Sequence, residues 1–229
     1  MDWATWQPQY DAICRDFGYD PAEDAAAARE LAALLPKPAP HWRLVGVQLR
    51  NRRNVAILGC GPSLEKTPLS VLEKRVLVAA DGATSWLREN GLVPNVVVTD
   101  LDGAADDLVW AAKAGAYIVV HAHGDNREAL RELVPKLGPQ LWGTYQGAPE
   151  AGLEGLRNVG GFTDGDRAVL LCEAVGALAA TLWGFDLDAP PSRYSGRFDA
   201  ATKPKKLAWA RRILEACKAR NRLQLAGLR

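Results

Sequence analysis

The chain has 229 residues, of which 28 are Lys or Arg and 27 are Asp or Glu, so its formal charge is +1. This length allows one large core, and the balanced charge argues against nucleic acid or an anionic membrane as a partner. The four cysteines form no Cys-x-x-Cys pair, and no apolar run approaches about 18 residues. We therefore expect a cytoplasmic protein that binds small molecules. A homodimer is left open.

The first part of the chain predicts helices. Ala, Leu and charged residues dominate from Trp3 to about Leu35, and Asp20 followed by Pro21 is typical of a helix start. The prolines of residues 36–40 then interrupt the helical pattern, because proline lacks a backbone donor and restricts the residue before it.

After residue 53, short β-branched runs alternate with stretches of helical periodicity. The expected strands lie within 54–59, 75–81, 95–100, 116–125 and 177–186, and the expected helices lie within 83–90, 104–115, 126–138 and 164–177. This pattern predicts an α/β, Rossmann-like three-layer domain whose mainly parallel sheet is covered on both faces. We assign residues 1–50 to a small N-terminal helical segment with its linker, and residues 51–229 to the α/β domain.

Polar or glycine-rich loops follow four of these strands. They are Gly59-Cys60-Gly61-Pro62-Ser63, Asp81-Gly82, Asp100-Leu101-Asp102-Gly103 and His121-Ala122-His123-Gly124-Asp125-Asn126. In such sheets the functional groups gather beyond the carboxyl ends of the strands, so we expect one shared site.

The loop with Asp100 and Asp102 is the strongest signal for a metal. Two neighbouring carboxylates repel each other unless a divalent cation lies between them. Carboxylate oxygens suit Mg²⁺, which proteins usually share with substrate phosphates. Asp81 is either a third ligand or the N-cap of the next helix.

The other loops allow more than one interpretation. Residues 59–64 form either an anion-binding turn or a plain turn capped by Ser63. His121, His123 and Asp125 could hold zinc or iron, but the Asp-rich neighbours favour phosphate or substrate contacts for the histidines, with packing as the alternative.

Two later segments complete the candidate site. Residues 160–168, with paired glycines, suit close approach to a flat ligand or a phosphate, and Asp164 or Asp166 caps the following helix. Arg167 is either a phosphate contact or a solvated residue of the first turn. Residues 184–206 form either a lid over a polyphosphate, with Tyr194 stacking on a ring, or a solvated basic loop. The basic residues of this segment are Arg193, Arg197, Lys203, Lys205 and Lys206.

The order of these motifs resembles the archaeal 6-hydroxymethyl-7,8-dihydropterin pyrophosphokinase family (MptE-like), which is related to the catalytic domain of thiamin pyrophosphokinases. The matching motifs are LGCGPSL, AADGA, VVVTDLDG, HAHGDN and GGFTDGDRA. The resemblance covers most of residues 53–206. It implies Mg²⁺-dependent transfer of diphosphate from ATP to the hydroxymethyl oxygen of the pterin, with release of AMP, in folate or methanopterin biosynthesis.

The resemblance also implies roles for individual residues. Asp100 and Asp102 would be catalytic, and Asp81, Asp100, Asp102 and Asp125 would surround the metal. The contacts to nucleotide or pterin would be Gly59, Gly61, Pro62, Ser63, Asp81, His123, Asp125, Asn126, Gly160, Gly161, Phe162 and Arg167.

Two alternatives remain from the residues themselves. In a haloacid dehalogenase-like phosphatase, Asp100 would be the nucleophile and Asp102 an acid, although Ala104 replaces the usual threonine. In a nucleotide-binding module without catalysis, the acidic residues would matter little for affinity.

Overall fold

A computed structural model describes residues 2–196 and 199–228. Within these ranges, eight parallel strands form one sheet, and eight α-helices surround it. The strands are β1 (Val55–Leu58), β2 (Val76–Ala80), β3 (Val96–Thr99), β4 (Tyr117–Ala122), β5 (Leu141–Tyr145), β6 (Leu156–Arg157), β7 (Ala179–Trp183) and β8 (Gln224–Ala226). The helices are α1 (Trp3–Phe17), α2 (Pro21–Leu34), α3 (Arg43–Leu49), α4 (Ala83–Glu89), α5 (Ala105–Lys113), α6 (Arg127–Leu133), α7 (Asp164–Val175) and α8 (Lys203–Arg220).

The strand order is β6-β5-β4-β3-β2-β1-β7-β8. The chain builds outward from β1 on one side through β6 and then returns to the other side of β1 with β7 and β8. The order therefore reverses between β1 and β7, and the crevice at such a reversal is where open α/β sheets bind ligands.

The sheet is sandwiched between two helical layers, which confirms the predicted α/β three-layer fold. Helices α1, α3, α7 and α8 cover one face, with Trp6, Leu49, Leu171 and Ile213 in its core. Helices α2, α4, α5 and α6 cover the other face, with Leu31, Leu87, Leu108 and Leu130 in its core. The five predicted strands are confirmed as β1, β2, β3, β4 and β7. Strands β5, β6 and β8 were not predicted.

The N-terminal segment is packed into both layers. Asp20 caps α2 by accepting a hydrogen bond from the Ala22 amide at 2.9 Å, as the sequence predicts. Trp6 of α1 donates its indole N–H to the carbonyl of Gln146, 140 residues along the chain. Helix α3 lies where only a linker was expected. No helix in the described ranges combines the length and the apolar character that crossing a membrane requires.

Candidate functional site

Three carboxylates converge beyond the ends of β2 and β3. Asp81 follows β2, and Asp100 and Asp102 follow β3, which is its parallel neighbour. Among the described residues, one ligand oxygen from each of the three carboxylates lies within 4.8 Å of the others. We call these residues the carboxylate cluster. Asp125, the fourth expected ligand, is exposed and lies outside this group.

Local backbone geometry holds the cluster together. Asp81 and Leu101 both adopt left-handed conformations, with φ of 39° and 71°. The Thr99 hydroxyl donates to Asp81 Oδ1 and accepts from the Leu101 amide at 2.8 Å. A Cβ at Gly103 would lie 2.2 Å from Asp81 Oδ2, so any larger residue would displace that carboxylate. The side chain of Asp81 does not cap α4, and the N-cap alternative is therefore wrong.

The electrostatics of the cluster favour a cation. Burial, and then the charge of Asp100, raises the pKa of Asp81 to about 6. Partial desolvation and the charges of Asp100 and Asp81 raise the pKa of Asp102 to about 8. Burial opposes ionisation of Asp100, but the hydrogen bond and charge of His123, together with the charge of Arg167, outweigh it and bring its pKa to about 2. Three hard oxygen donors with excess negative charge fit Mg²⁺.

A first cavity lies on the β1 and β7 side of the cluster, and we call it the switch-point cavity. Its lining includes Gly59, Cys60, Gly61, Asp81, Asp102, Thr163, Asp164, Gly184, Phe185, Asp186, Tyr194, Lys203 and Lys206. Pro62 and Ser63 lie just beyond this lining. The Ser63 amide, expected to face a ligand anion, donates to Asp186 Oδ2 at 2.7 Å.

A second cavity lies on the β4 side, and we call it the histidine cavity. Its lining includes Tyr19, Asp24, Asp100, His121, His123, Asp125, Gln146, Phe162, Arg167 and Lys206. Asp100 faces this cavity, whereas Asp81 and Asp102 face the switch-point cavity. The carboxylate cluster therefore lies between the two cavities, and Lys206 lines both.

The two histidines have different roles. His123 Nδ1 lies 3.3 Å from the Asp125 amide, and Nε2 lies 3.5 Å from Asp100 Oδ2, so the Nε2–H faces that carboxylate. His121 is 1% exposed, and burial lowers its pKa well below the usual range, so it is neutral. Neither belongs to the carboxylate cluster, so the geometry does not favour a zinc or iron site.

Asn126 positions the loops. Its side-chain amide donates to the carbonyls of Asp100 and His121, both at 2.7 Å, and its Oδ1 accepts from the His123 amide at 3.1 Å. These bonds use both donors and one lone pair of the acceptor oxygen, so Asn126 ties the loop after β3 to the loop after β4. A direct contact of Asn126 with a ligand stays a prediction.

The start of α7 provides three ionisable side chains, which are Asp164, Asp166 and Arg167. Thr163 and Asp166 form a capping box, which confirms Asp166 as the capping partner. Asp164 was expected only as a cap, but burial and the charges of Asp100 and Asp81 raise its pKa well above the usual value. Arg167 is 2% exposed and donates to the Gly161 carbonyl at 3.0 Å, so the solvated alternative is wrong. Thr-Asp-Gly-Asp contains two aspartates, and a cap needs only one of them. The presence of Asp164 beside Asp166 was therefore the available sequence signal for a further role.

Phe162 and the paired glycines shape the histidine cavity. Gly160 and Gly161 have φ of 77° and 94°, and a Cβ at Gly161 would lie 2.8 Å from the Arg167 Cα. This turn places the Phe162 ring beside Tyr19, with centroids 6.4 Å apart.

The segment after β7 is already anchored to the body of the protein. The hydroxyls of Ser192 and Ser195 donate to the Cys60 carbonyl at 2.6 and 3.1 Å. Tyr194 is buried, and its hydroxyl donates to Glu89. Arg193 pairs with Glu89 at 3.1 Å instead of lining a cavity. Lys203 and Lys206 line the site, Lys205 donates to the Asp16 carbonyl, and Arg197 lies outside the described residues.

The fold and site define an α/β protein that carries a cluster of three carboxylates at the carboxyl edge of a parallel sheet. The chain belongs to the MptE-like family, because the model for "6-hydroxymethylpterin diphosphokinase MptE-like" matches residues 37–191.

Curated relatives agree with this assignment. The chain is 38% identical to the 6-hydroxymethyl-7,8-dihydropterin pyrophosphokinase of Pyrococcus furiosus, over 98% of each chain. It is 39% identical to the protein of the same name from Methanothermobacter thermautotrophicus, over 85% of this chain and 83% of the relative. The structure of the Maf glycosyltransferase from Magnetospirillum magneticum AMB-1 has a TM-score of 0.50 and 19% identity, and it covers 79% of this chain and 33% of that one. At that identity the likeness concerns the fold alone.

Proposed function

We propose that this protein transfers a diphosphoryl group from ATP to the hydroxymethyl oxygen of 6-hydroxymethyl-7,8-dihydropterin in the presence of Mg²⁺. The pterin oxygen forms a bond to the β-phosphorus, the bond between that phosphorus and the α–β bridging oxygen breaks, and AMP leaves while the hydroxyl loses its proton. One observation carries the proposal: the carboxylate cluster lies between two cavities, so that two substrates can meet at one cation-binding centre.

The switch-point cavity suits the phosphates of ATP as a complex with a cation. The backbone N–H groups of Ser63 and Thr163 already donate to Asp186 and Asp166, so neither N–H is available to a phosphate. Cations at the cluster and the ammonium groups of Lys203 and Lys206, which line the cavity, would then meet the phosphate charge. This arrangement favours magnesium-bound ATP over the free nucleotide.

The residues around the cluster keep it in position for transfer. Bound by Asp81, Asp100 and Asp102, Mg²⁺ would neutralise charge on the transferred phosphate oxygens. His123 keeps Asp100 ionised, and Asn126 fixes its backbone. Phosphoryl transfer depends on in-line positioning and charge neutralisation more than on a strong base.

The test is to incubate the protein with ATP, MgCl₂ and 6-hydroxymethyl-7,8-dihydropterin and to separate the products. We expect AMP and pterin diphosphate in equal amounts, with activity lost in Asp100→Asn and retained in Asp106→Asn, which changes an exposed carboxylate of α5 outside the cluster and both cavities. Release of free phosphate without AMP, or full activity in Asp100→Asn, would contradict the proposal.

A further inference from the structure

We propose that the histidine cavity binds the pterin ring and that the N-terminal helical segment recognises it through Asp24, acting together with Gln146. This inference rests on the proposed function and names the acceptor subsite. Asp24 lies on α2, before residue 37, where the match to the family model begins. The proposal therefore gives the first part of the chain a direct role in substrate choice.

Asp24 is a buried carboxylate with capacity to accept another hydrogen bond. It is 5% exposed and lines the histidine cavity. Its Oδ2 accepts from the Tyr10 hydroxyl at 2.8 Å and from Gln146 Nε2 at 2.9 Å, whereas Oδ1 accepts, among the described residues, only from the Gly124 amide at 2.8 Å. Each carboxylate oxygen has two lone pairs, so one lone pair of Oδ1 remains available.

No Lys or Arg of the described residues forms an ion pair with Asp24 within 4.0 Å. A buried carboxylate without an ion-pair partner is costly unless N–H donors compensate for the lost water. Gly124 and Gln146 already supply two N–H donors, and the N–H groups of a ligand in the histidine cavity would add to that compensation.

Asp24 also fixes the orientation of Gln146. Because the amide nitrogen of Gln146 donates to Asp24, its Oε1 faces His121 Nε2 at 3.4 Å. His121 then donates from Nε2, and its Nδ1 lies 3.0 Å from the Thr144 hydroxyl oxygen, which is 3.2 Å from the Val120 carbonyl. Gln146 keeps its second N–H. The cavity thus offers a carboxylate acceptor on α2 next to an amide donor at the end of β5.

This pattern can take a pterin. The pterin edge carries the N3–H donor beside the O4 acceptor, so N3–H can donate to Asp24 Oδ1 while the second N–H of Gln146 donates to O4. Adenine also presents a donor beside an acceptor, but the switch-point cavity already provides for ATP, which leaves the histidine cavity for the pterin. The rings of Tyr19 and Phe162 offer apolar surface to a flat heterocycle. Asp100 lines the same cavity, so the hydroxymethyl group can reach the carboxylate cluster.

The experiment compares Asp24→Asn and Gln146→Leu with Tyr10→Phe. Tyr10 donates to the same Asp24 oxygen but does not line the cavity, so it is the matched control for lost stability. For the first two variants we expect KM for the pterin to rise on the order of 10- to 100-fold with KM for ATP unchanged, because each loses a hydrogen bond to the ring. Tyr10→Phe should lower Tm and leave both KM values near wild type.

Equilibrium binding of 6-hydroxymethylpterin, followed by its fluorescence, separates this inference from the proposed function. If wild type binds the pterin without forming AMP, and Asp24→Asn weakens that binding, the cavity assignment stands while the diphosphoryl transfer fails. A rise in KM for ATP alone would overturn the inference and place the nucleotide in the histidine cavity. Unchanged pterin affinity in both variants would also overturn it.

Discussion

Asp164 and Arg167 lie one helical turn apart at the start of α7 and face different cavities. Asp164 lines the switch-point cavity, Arg167 lines the histidine cavity, and the guanidinium Nη1 lies 3.7 Å from Asp164 Oδ1. The carboxylates around Arg167 favour its charged form. Asp164 has the largest electrostatic effect on it, followed by Asp166 and Asp100. A single buried cation therefore balances negative charge on both sides of the carboxylate cluster.

Replacing this cation should strongly destabilise the protein. Arg167→Met keeps the apolar stem but leaves Asp164 and Asp166 without a buried counter-charge, so we expect a loss of about 3–5 kcal/mol in the free energy of unfolding. The measurement is urea denaturation of the metal-free protein. Arg29→Met is the control, because Arg29 is exposed in its pair with Glu150 and should cost less than about 1 kcal/mol. Equal effects of the two variants would contradict the role given to Arg167.

The stability of the metal-free protein should decrease as the pH rises. The folded-state pKa values of Asp81 and Asp102 are raised to about 6 and about 8, so between pH 4 and pH 8 the folded state binds more protons than the unfolded state. Deprotonation through this range brings the negative charges together and destabilises the fold. Asp102→Asn should therefore be more stable than wild type in EDTA, by a margin that grows from pH 5.5 to pH 8.5. If the difference in Tm between Asp102→Asn and wild type did not depend on pH, the raised pKa values of Asp81 and Asp102 would be disproved. Added Mg²⁺ should reduce this difference in Tm.

Gly103→Ala should weaken the metal site without a direct change to a ligand. The added Cβ would lie 2.2 Å from Asp81 Oδ2 and must displace that carboxylate. We expect the Mg²⁺ concentration for half-maximal activity to rise roughly 10- to 100-fold, as for other disturbed ligand supports. In the control Gly46→Ala, the added Cβ meets no atom within 4 Å on helix α3, so the Mg²⁺ dependence should stay unchanged. An unaltered Mg²⁺ requirement in Gly103→Ala would argue against Asp81 as a ligand.

Lys206 and Lys205 form a matched pair of neighbouring lysines. Lys206 lines both cavities, whereas Lys205 donates to the Asp16 carbonyl and lies 4.7 Å from the centre of the Phe17 ring. A cation beside the transferred phosphate stabilises its developing charge, so Lys206→Met should lower kcat/KM for ATP on the order of 100-fold. Lys205→Met should retain most of this activity. Similar losses in steady-state assays of both variants would mean that the two lysines act only through stability.

Much of the fold could be read from local patterns. The apolar run Val96–Thr99 predicts a buried strand, and the apolar spacing within Asp164–Val175 predicts a helix with one buried face. Both predictions succeed because the spacing of apolar residues follows the side of the element that is buried. The three strands that were not predicted lack such an apolar pattern. Leu141–Tyr145 contains a glycine, Leu156–Arg157 is only two residues long, and Gln224–Ala226 lies at the sheet edge. These strands are stabilised by pairing with neighbouring strands that are distant in sequence, which local patterns do not show.

By itself, the sequence determined the α/β class and the convergence of Asp81, Asp100 and Asp102, because consecutive parallel strands place their carboxyl ends side by side. Only the tertiary structure decided which other groups join them. Strand β3 separates β4 from β2, so Asp125 lies outside the cluster, while α7 packs beneath β2 and β3 and brings in Asp164. The contact between Asp24 and Gln146 spans 122 residues, and no local spacing could reveal it, because it arises from packing α2 against the sheet.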